Sequence, residues 1–315
     1  MSELPSSELL LQTLATNWNV SPESVRQCPK SGRLWHVEGR GFARVGFARG
    51  GLSAGQLVEL VDSLHAAGCA VPDIVETQSG HLFVELGETS LSIERELPGS
   101  ECSAERLDIL SGLGRELGRL HEVMYRFPVA PGQNRSLRTW VEQKLALAQA
   151  AAEDPRHLEA VHKLALALPT NLNEKEVRWG LTHGDIRGPN VLCDGMVLGF
   201  VDFNLTYEPQ LTDLVMIQNK WLMNGDVAHE RPLTNHEVSS VLRGYHVSRP
   251  FTSEEVDAFP VIWAVYLAWR LFQDLRIVNR FDEDRQARWP IESQILNLPG
   301  ELEIAHDILR ESIGV

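Results

Sequence analysis

The sequence predicts an α+β protein with a small β-rich N-terminal lobe and a larger, mostly helical C-terminal lobe. Up to residue 97, short runs of aromatic and branched residues alternate with glycine clusters, which is typical of an antiparallel sheet. Beyond Gly99, apolar residues recur at helical spacing. Because Pro98-Gly99 interrupts regular structure between these parts, we expect two domains, residues 1–97 and 98–315.

The N-terminal lobe should contain two helices and a sheet. Residues 7–16 have the pattern of a short amphipathic helix capped by Ser6 or Ser7. Ser53 and Gln56 have the spacing of a capping box, which opens a helix that Gly68 should end. The expected strands are Leu34–Glu38, Gly41–Ala48, Val71–Val75, His81–Leu86 and Leu91–Leu97.

The C-terminal lobe should be helical with one strand-like insertion. Val177–Thr182 is an expected strand, and Val191–Cys193 with Met196–Val201 should form a hairpin around Asp194-Gly195, a dipeptide that favours tight turns. The expected helices are Ala104–Met124, Trp140–Ala152, Leu158–Leu168, Leu211–Leu222, Glu237–Tyr245, Ser253–Asn279 and Glu301–Ser312.

The composition argues against a nucleic-acid-binding or membrane-spanning protein. The chain has 315 residues, 43% of them hydrophobic, and a formal net charge of −14, which argues against a nucleic-acid partner. The longest apolar run, Val261–Trp269, is too short to span a bilayer, so we expect no membrane partner. No basic residue precedes Arg26, and four dispersed cysteines suggest reduced thiols in a cytoplasmic protein. A homodimer is compatible with this composition.

The most informative stretch runs from His183 to Asn190 and is followed by Val201-Asp202-Phe203. The hairpin should place Asn190 roughly opposite Gly199, with Asp202 just beyond its open end, beside the loop that holds Asp185. Phosphoryl transfer needs such a set: a carboxylate to accept a hydroxyl proton and hard oxygen ligands for Mg²⁺. We expect Asp185 as base, Arg187 as the cation that stabilises transferred charge, and Asn190 with Asp202 as metal ligands. The alternative is a polar turn that only satisfies backbone groups.

These motifs resemble those of the aminoglycoside phosphotransferase / choline kinase superfamily, which has a protein-kinase-like two-lobe fold. The resemblance covers most of the chain and includes Phe42–Val45, Glu96–Gly99 and Leu117–His121 beside the two motifs above. Gly244–Pro250 and Trp269–Leu271 resemble the bacterial homoserine-kinase branch. Arg187 and Gly188 depart from that branch, which leaves the acceptor open.

The resemblance implies that ATP and Mg²⁺ are required and that nucleotide binds between the lobes. Its base should lie against Leu91–Leu97, which makes Glu96 and Leu97 cofactor-binding candidates. Arg44 occupies the position usually held by the nucleotide-binding lysine, although it could be a solvated strand residue. No glutamate partner for Arg44 is evident from the helical pattern. Lys30 could reach a phosphate from the turn 29–33, where a plain hairpin turn is an equal alternative.

Four functions remain open at this point. The first is a phosphotransferase acting on a small hydroxyl-bearing molecule, a homoserine-like amino alcohol before others. The second is an aminoglycoside-type antibiotic kinase, the third is a kinase that tailors peptide Ser or Thr, and the fourth is a nucleotide-binding pseudokinase scaffold.

Several C-terminal residues bear on this choice. Arg270, Asp274 and Arg276 could recognise a zwitterion, whereas the run 282–284 (Asp-Glu-Asp) could recognise a cation. Asp213 should brace the catalytic loop, and His183 should pack beneath it. The aromatic residues are expected in the core rather than in a substrate cage; these are Trp221, Trp263, Tyr266 and Trp269.

Overall fold

The computed structural model describes residues 5–28, 33–46, 51–87, 89–102, 107–128, 136–172, 176–194, 197–220, 233–280 and 285–314. Backbone contacts divide the chain into two compact units: residues 1–102 with 189–206, and residues 103–188 with 207–315. The hairpin after the predicted catalytic loop thus groups with the first unit, whereas we expected it in the C-terminal domain. The reason is that it pairs with a strand just before residue 102. The functional division at residue 97 stays a prediction.

An antiparallel sheet forms the framework of the first unit. Its strand order is β1-β2-β3-β6-β4, and β5 also pairs with β6. In the central pair, Arg44 lies opposite Ser92 and Phe42 lies opposite Glu94. The strands are β1 (Val25–Gln27), β2 (Leu34–Val37), β3 (Gly41–Val45), β4 (Ile74–Val75), β5 (Val84–Leu86) and β6 (Thr89–Glu94).

Two helices accompany this sheet. Helix α1 (Ser7–Trp18) begins at the predicted N-cap Ser6, whose side chain accepts a hydrogen bond from the Leu9 amide. Its apolar face packs on the sheet, and Trp18 Nε1 donates to the Val75 carbonyl at 2.8 Å. Helix α2 (Ala54–Ala66) has the predicted capping box. The core between α1 and the sheet comprises Leu10, Leu14, Trp18, Val20, Trp35, Val37, Ala43, Val45, Leu91 and Ile93.

A second small sheet in the first unit has the order β10-β9-β7, with β7 (Ser100–Glu101), β9 (Val191–Asp194) and β10 (Val197–Phe200). Cys102, which follows β7, forms a disulfide with Cys193 of β9. The expectation of reduced thiols is therefore wrong for these two residues; β7 pairs with β9, so cysteines 91 positions apart become neighbours. Cys28 and Cys69 are free.

The second unit is mainly helical. Helix α3 packs closely on α7, because glycine at Gly114 and Gly244 lets each backbone approach the other helix where a Cβ atom would collide. Strand β8 (Trp179–Thr182) pairs with β11 (Thr206–Pro209). The helices are α3 (Leu107–Arg126), α4 (Leu137–Ala151), α5 (Pro155–Ala167), α6 (Thr212–Lys220), α7 (Asn235–Ser248), α8 (Ser253–Arg280), α9 (Arg285–Leu296) and α10 (Glu301–Ile313).

The α+β class is confirmed, and most predicted elements are present. Helix α9 and strands β1, β7 and β11 were not predicted. Among the described helices, none combines the length and the apolar character that a membrane crossing requires.

Candidate active site

The predicted catalytic loop follows strand β8 in the second unit. Gly184 has a φ of +74°, a conformation that glycine adopts without steric cost, and the chain turns there. Ile186 is fully buried, while its neighbours Asp185 and Arg187 are partly exposed. Ile186 therefore anchors the loop, and the two charged side chains on either side of it remain accessible.

Asp213, in the first turn of α6, fixes this loop through hydrogen bonds to its backbone. Its carboxylate accepts hydrogen bonds from the backbone amides of His183 at 2.7 Å and Gly184 at 3.0 Å. The same carboxylate faces Nε2 of His121 at 3.0 Å. These contacts confirm the predicted bracing role of Asp213, since a carboxylate that accepts backbone donors fixes the loop conformation. His183 is fully buried, as expected for a residue beneath the loop.

A buried relay continues from His121 to α7. Arg249 Nη1 donates to the Tyr245 hydroxyl at 2.7 Å, and that hydroxyl lies 3.0 Å from Nδ1 of His121. Because the Tyr245 hydroxyl receives the arginine proton, it can donate its own to Nδ1, which leaves Nε2–H to donate to Asp213. Burial lowers the pKa of His121, against the opposing influence of Asp213. The neutral imidazole is therefore the form that makes hydrogen bonds to both Tyr245 and Asp213.

Gln210 and Glu255 complete this network. Gln210 donates to the carbonyls of His121 and Leu181, each at 3.0 Å, and accepts from Arg249 at 2.8 Å. Burial acts to raise the pKa of Glu255, but hydrogen bonds from Arg178 and the charge of Arg249 lower it overall. Tyr245 and Arg249, in the segment that resembles the homoserine-kinase branch, are thus buried in the network that supports the loop. Sequence spacing gave no sign of this network, whose members lie on four helices (α3, α6, α7 and α8) and on connecting segments.

The predicted base and the predicted charge-stabilising cation are in contact. Arg187 Nε lies 3.1 Å from Asp185 Oδ2, and the two side chains are 33% and 25% exposed. This contact holds opposite charges together on one loop.

The hairpin brings the two predicted metal ligands together, with a corrected register. Its innermost pair is Asp194 with Val197, and Phe200 lies opposite Val191. The Val201 amide donates to the Asn190 carbonyl at 3.0 Å, so Asn190 faces Val201 and not Gly199. The difference arises because the turn is centred one residue later than Asp194-Gly195. Asp202 is therefore only one position beyond the residue opposite Asn190, and its φ of +62° marks a sharp change of direction.

Arg44 lies between two carboxylates of the first unit. Its guanidinium is ion-paired with Asp202, and its Nε lies 3.2 Å from Glu94 Oε1. Glu94 is therefore the glutamate partner that the sequence left open, and it comes from the adjacent strand β6 rather than from α2. Burial raises the pKa of Glu94, while the charge of Arg44 lowers it. The sequence feature that could have identified Glu94 is a carboxylate at the end of an otherwise uncharged, buried strand.

The other residues predicted to bind the nucleotide are Glu96, Leu97 and Lys30. Glu96 is 62% exposed and lies 3.9 Å from His36. Leu97 is partly buried, and its side chain covers Gly199 of the hairpin. Lys30 lies outside the described residues, as do most of the turn 29–33 and Trp221.

Helix α8 contributes an aromatic platform in the second unit. Lys144 Nζ lies 3.9 Å from the Trp269 ring centroid and 5.5 Å from that of Tyr266. The same ammonium is ion-paired with Glu208 at 2.6 Å. Trp263 is fully buried and donates to Glu301, which confirms the expectation of a core residue. Tyr266 is also buried, as expected, and only Trp269 is partly exposed; both rings lie beside a cation that belongs to the protein itself.

Related proteins agree with this architecture. A homoserine kinase from Pseudomonas aeruginosa (strain UCBPP-PA14) is 28% identical over 205 residues, which cover 64% of this chain and 63% of that kinase. The alignment therefore spans less than two thirds of the relative. Among solved structures, amicoumacin kinase hAmiN, in complex with AMP-PNP and Ca²⁺, has a TM-score of 0.67 with 14% identity and covers 95% of this chain and 93% of its own.

A microcompartment-associated aminopropanol kinase has a TM-score of 0.58 and 18% identity, and the match covers 98% of both chains. At these identities the solved structures establish the kinase-like fold. The profile of the phosphotransferase enzyme family matches residues 39–255, which include β3, the predicted catalytic loop and the hairpin. Since this match extends over more than half of the sequence, the chain belongs to the phosphotransferase enzyme family.

Proposed function

We propose that this protein is an ATP- and Mg²⁺-dependent phosphotransferase that moves the γ-phosphate to a hydroxyl group of a small molecule. The observation that carries the proposal is the loop that holds Asp185, which Asp213 fixes through two backbone amides; in the first unit, the hairpin holds Asn190 and Asp202 at its open end. Phosphoryl transfer depends on positioning and electrostatics, and a rigid loop with these groups supplies both.

The donor set fits magnesium. Asn190 and Asp202 supply an amide oxygen and a carboxylate, the hard ligands that Mg²⁺ prefers. The described ranges contain no cluster of three His, Cys, Asp or Glu side chains suited to a metal, which suits an ion that takes its other ligands from phosphates and water. When bound there, Mg²⁺ would neutralise charge on the β- and γ-phosphates.

The other residues have distinct proposed roles. Asp185 accepts or orients the proton of the acceptor hydroxyl, and Arg187, which now pairs with it, can turn toward the charge of the transferred group. Arg44 binds phosphate oxygens, with Glu94 fixing its orientation. Leu97 and Glu96 are proposed to contact the base of the nucleotide, and Lys30 remains a candidate for a phosphate contact.

The pseudokinase alternative loses support. It rested on Arg44 and on the absence of a glutamate partner, and Glu94 supplies that partner at 3.2 Å. A scaffold also has no need for Asp185, Asn190 and Asp202 together. For the acceptor, we propose a homoserine-like amino alcohol first, supported by homoserine kinases among the relatives. The acidic run 282–284, on which an antibiotic substrate would depend, lies outside the described residues.

The proposal is tested by ADP release with Mg·ATP and a panel of acceptors: L-homoserine, 3-aminopropanol and an aminoglycoside. We expect release above the no-acceptor rate with at least one of them, and loss of release in Asp202→Ala. Asp194→Ala is the matched control, because Asp194 is exposed on the same hairpin. Normal turnover of Asp202→Ala at limiting Mg²⁺ would show that the metal assignment is wrong.

A further inference from the structure

The disulfide between Cys102 and Cys193 anchors the hairpin that carries both proposed metal ligands. Cys193 is a residue of β9, which begins directly after Asn190, and Cys102 follows β7. The Cys102 amide also donates to the Val191 carbonyl at 3.1 Å, so the cross-linked segment contacts the residue next to Asn190. All of these residues belong to the first unit. The cross-link therefore joins β7 to the strand that follows a proposed metal ligand.

The two strands of the hairpin are held in different ways. Strand β10, which leads to Asp202, is attached to Ala70: Gly199 forms a parallel bridge with that residue, and the Phe200 amide donates to its carbonyl at 2.9 Å. Strand β9 pairs with β7 over only two residue pairs. A ladder this short is marginal on its own, so the disulfide is the main restraint that β7 places on β9.

The chain before β7 lies directly against the backbone of β9. Gly99 has a φ of +123°, and a Cβ atom at this position would lie 2.8 Å from the carbonyl oxygen of Cys193. Because no side chain fits between the two segments, the backbones themselves are in contact. A displacement of β7 therefore acts on β9 directly.

The exposure of the two cysteines decides how the disulfide can be opened. Cys193 is partly exposed, whereas Cys102 is 5% exposed. A thiolate of a dithiol reductant can attack Sγ of Cys193, which forms a mixed disulfide there and releases Cys102 as a thiolate that takes up a proton. The second thiol of the reductant then attacks the mixed disulfide, frees Cys193 and closes the reductant's own disulfide. Two electrons and two protons pass to the protein, and a small disulfide reverses the reaction.

On these grounds, and resting on the proposed function above, we propose that the Cys102–Cys193 disulfide is a thiol-sensitive switch that sets the affinity for Mg²⁺-bound nucleotide. In the oxidised protein the cross-link holds β9, and with it Asn190, in position to bind the metal. In the reduced protein β9 keeps its pairing with β10 but loses its covalent link to β7, so Asn190 is held less firmly. Asp202 keeps its support, because β10 remains attached to Ala70. The oxidised form is the form of higher affinity.

The test is a calorimetric titration of the wild-type protein with ADP in excess Mg²⁺, after treatment with oxidised glutathione or with dithiothreitol. Reduction should raise the Kd about three- to tenfold, less than the ten- to hundredfold loss typical of removing an outer-shell partner, because the cross-link restrains only the backbone beside Asn190. Reoxidation should restore the first value. Titration with ADP in the absence of Mg²⁺ should give the same Kd for both forms, because Asn190 is proposed to act through the metal.

Hydrogen exchange provides a readout that does not depend on nucleotide. The Cys102 amide, which donates to Val191, should lose protection after reduction. The Phe200 amide, which donates to Ala70 from the other strand of the hairpin, should keep its protection. This contrast between two amides of the same unit separates a local release of β9 from a general loosening.

Two serine variants complete the design. Cys193→Ser should show the Kd of the reduced protein under both treatments. Cys28→Ser is the matched control, since Cys28 is a free and partly exposed cysteine of the same unit, and it should keep the wild-type response. If Cys193→Ser does not fold, the comparison of the two wild-type forms still decides the proposal.

The outcomes separate the switch from the proposed function. An equal Kd for Mg²⁺-bound ADP in the oxidised and reduced proteins would overturn the switch and leave the phosphotransferase proposal intact. Four thiols in protein treated with oxidised glutathione would also overturn it, as would an equal weakening of ADP binding with and without Mg²⁺. Absence of ADP release with every acceptor, in both forms of the protein, would instead contradict the proposed function.

Discussion

The guanidinium of Arg44 is ion-paired with the carboxylate of Asp202, the group that we propose as a metal ligand. The positive guanidinium at Asp202 Oδ1 repels a second cation and reduces the negative charge that this carboxylate offers to Mg²⁺, so the metal and Arg44 compete for Asp202. Glu94, 3.2 Å from Arg44 Nε, offers the guanidinium an alternative partner. The buried Glu94 therefore lowers the cost of releasing Asp202.

This competition predicts that Glu94→Gln raises the Mg²⁺ requirement. Without the Glu94 charge, Arg44 depends more on Asp202, and the Mg²⁺ concentration for half-maximal activity should rise about three- to tenfold, a part of the usual worth of a charge-assisted hydrogen bond. The measurement is a Mg²⁺ titration at fixed ATP. Glu85→Gln, an exposed change on β5 of the same sheet, should leave the titration unchanged. An unaltered Mg²⁺ requirement in Glu94→Gln would refute the competition.

A second prediction concerns the base. Asp185→Asn keeps the shape of the side chain and removes the proton acceptor, so kcat should fall by about two to four decades, the usual range for loss of a general base. Nucleotide affinity should be nearly intact, because Asp185 is not a proposed nucleotide ligand. Single-turnover kinetics together with a nucleotide-binding measurement checks both parts. A variant with wild-type kcat would remove Asp185 from the mechanism.

Arg187 should behave differently from its neighbour on the loop. Because it lies 3.1 Å from Asp185 and is only partly buried, it can turn toward the transferred phosphoryl group. Arg187→Ala should reduce kcat more than it raises the KM for ATP, since charge develops mainly in the transition state. An effect confined to the KM of the acceptor would instead identify Arg187 as an acceptor-binding residue.

The local parts of the site could be predicted from the sequence. Asn190 and Asp202 lie at the open end of one hairpin, where spacing and turn chemistry decide which residues are neighbours. The predicted partner of Asn190 was wrong by two residues. A turn can shift by one position without any change in composition, and such a shift moves every cross-strand pair by two residues. The capping box of α2 was likewise predictable, since Ser53 and Gln56 interact through adjacent backbone.

The long-range partners could not be predicted in this way. Arg44 and Glu94 are 50 residues apart, and His121 meets Asp213 and Tyr245 from 92 and 124 residues away. Such contacts depend on strand order and helix packing, which a single sequence specifies only through the whole fold. The disulfide between Cys102 and Cys193 depends in the same way on the pairing of β7 with β9.

The disulfide leads to a fourth prediction. It joins residues separated by 91 positions within the first unit, and cross-links of this length typically contribute about 2–4 kcal/mol to the free energy of unfolding. Cys193→Ser should therefore lower the thermal midpoint, whereas Cys28→Ser, a change at a free and partly exposed cysteine, should have little effect. Thiol titration of the unfolded, non-reduced protein should find two thiols, Cys28 and Cys69. Four titratable thiols would contradict the cross-link.

The last prediction is a pH dependence of stability that arises from His121. Burial lowers the pKa of this imidazole in the folded protein, whereas the unfolded chain takes up the proton near pH 6.5. Between the lowered pKa and pH 6.5 the unfolded state binds more protons, so the free energy of unfolding should fall as the pH drops through that window. The loss should be about 1.4 kcal/mol for each pH unit below 6.5, and above that pH His121 should contribute no further change.

Urea unfolding at pH 8, 7, 6 and 5.5 isolates this contribution when the wild-type protein is compared with His121→Asn. At pH 8 the wild type should be the more stable protein, because the variant loses the bond from Tyr245 and leaves Arg249 with a weakened partner. The difference should narrow as the pH falls below 6.5, since the wild type then loses stability that the variant does not. His306→Asn, at an exposed position on α10, accounts for the general effect of removing a histidine. A stability difference between wild type and His121→Asn that stays constant from pH 8 to 5.5 would mean that the relay through Tyr245 and Asp213 does not require a neutral imidazole.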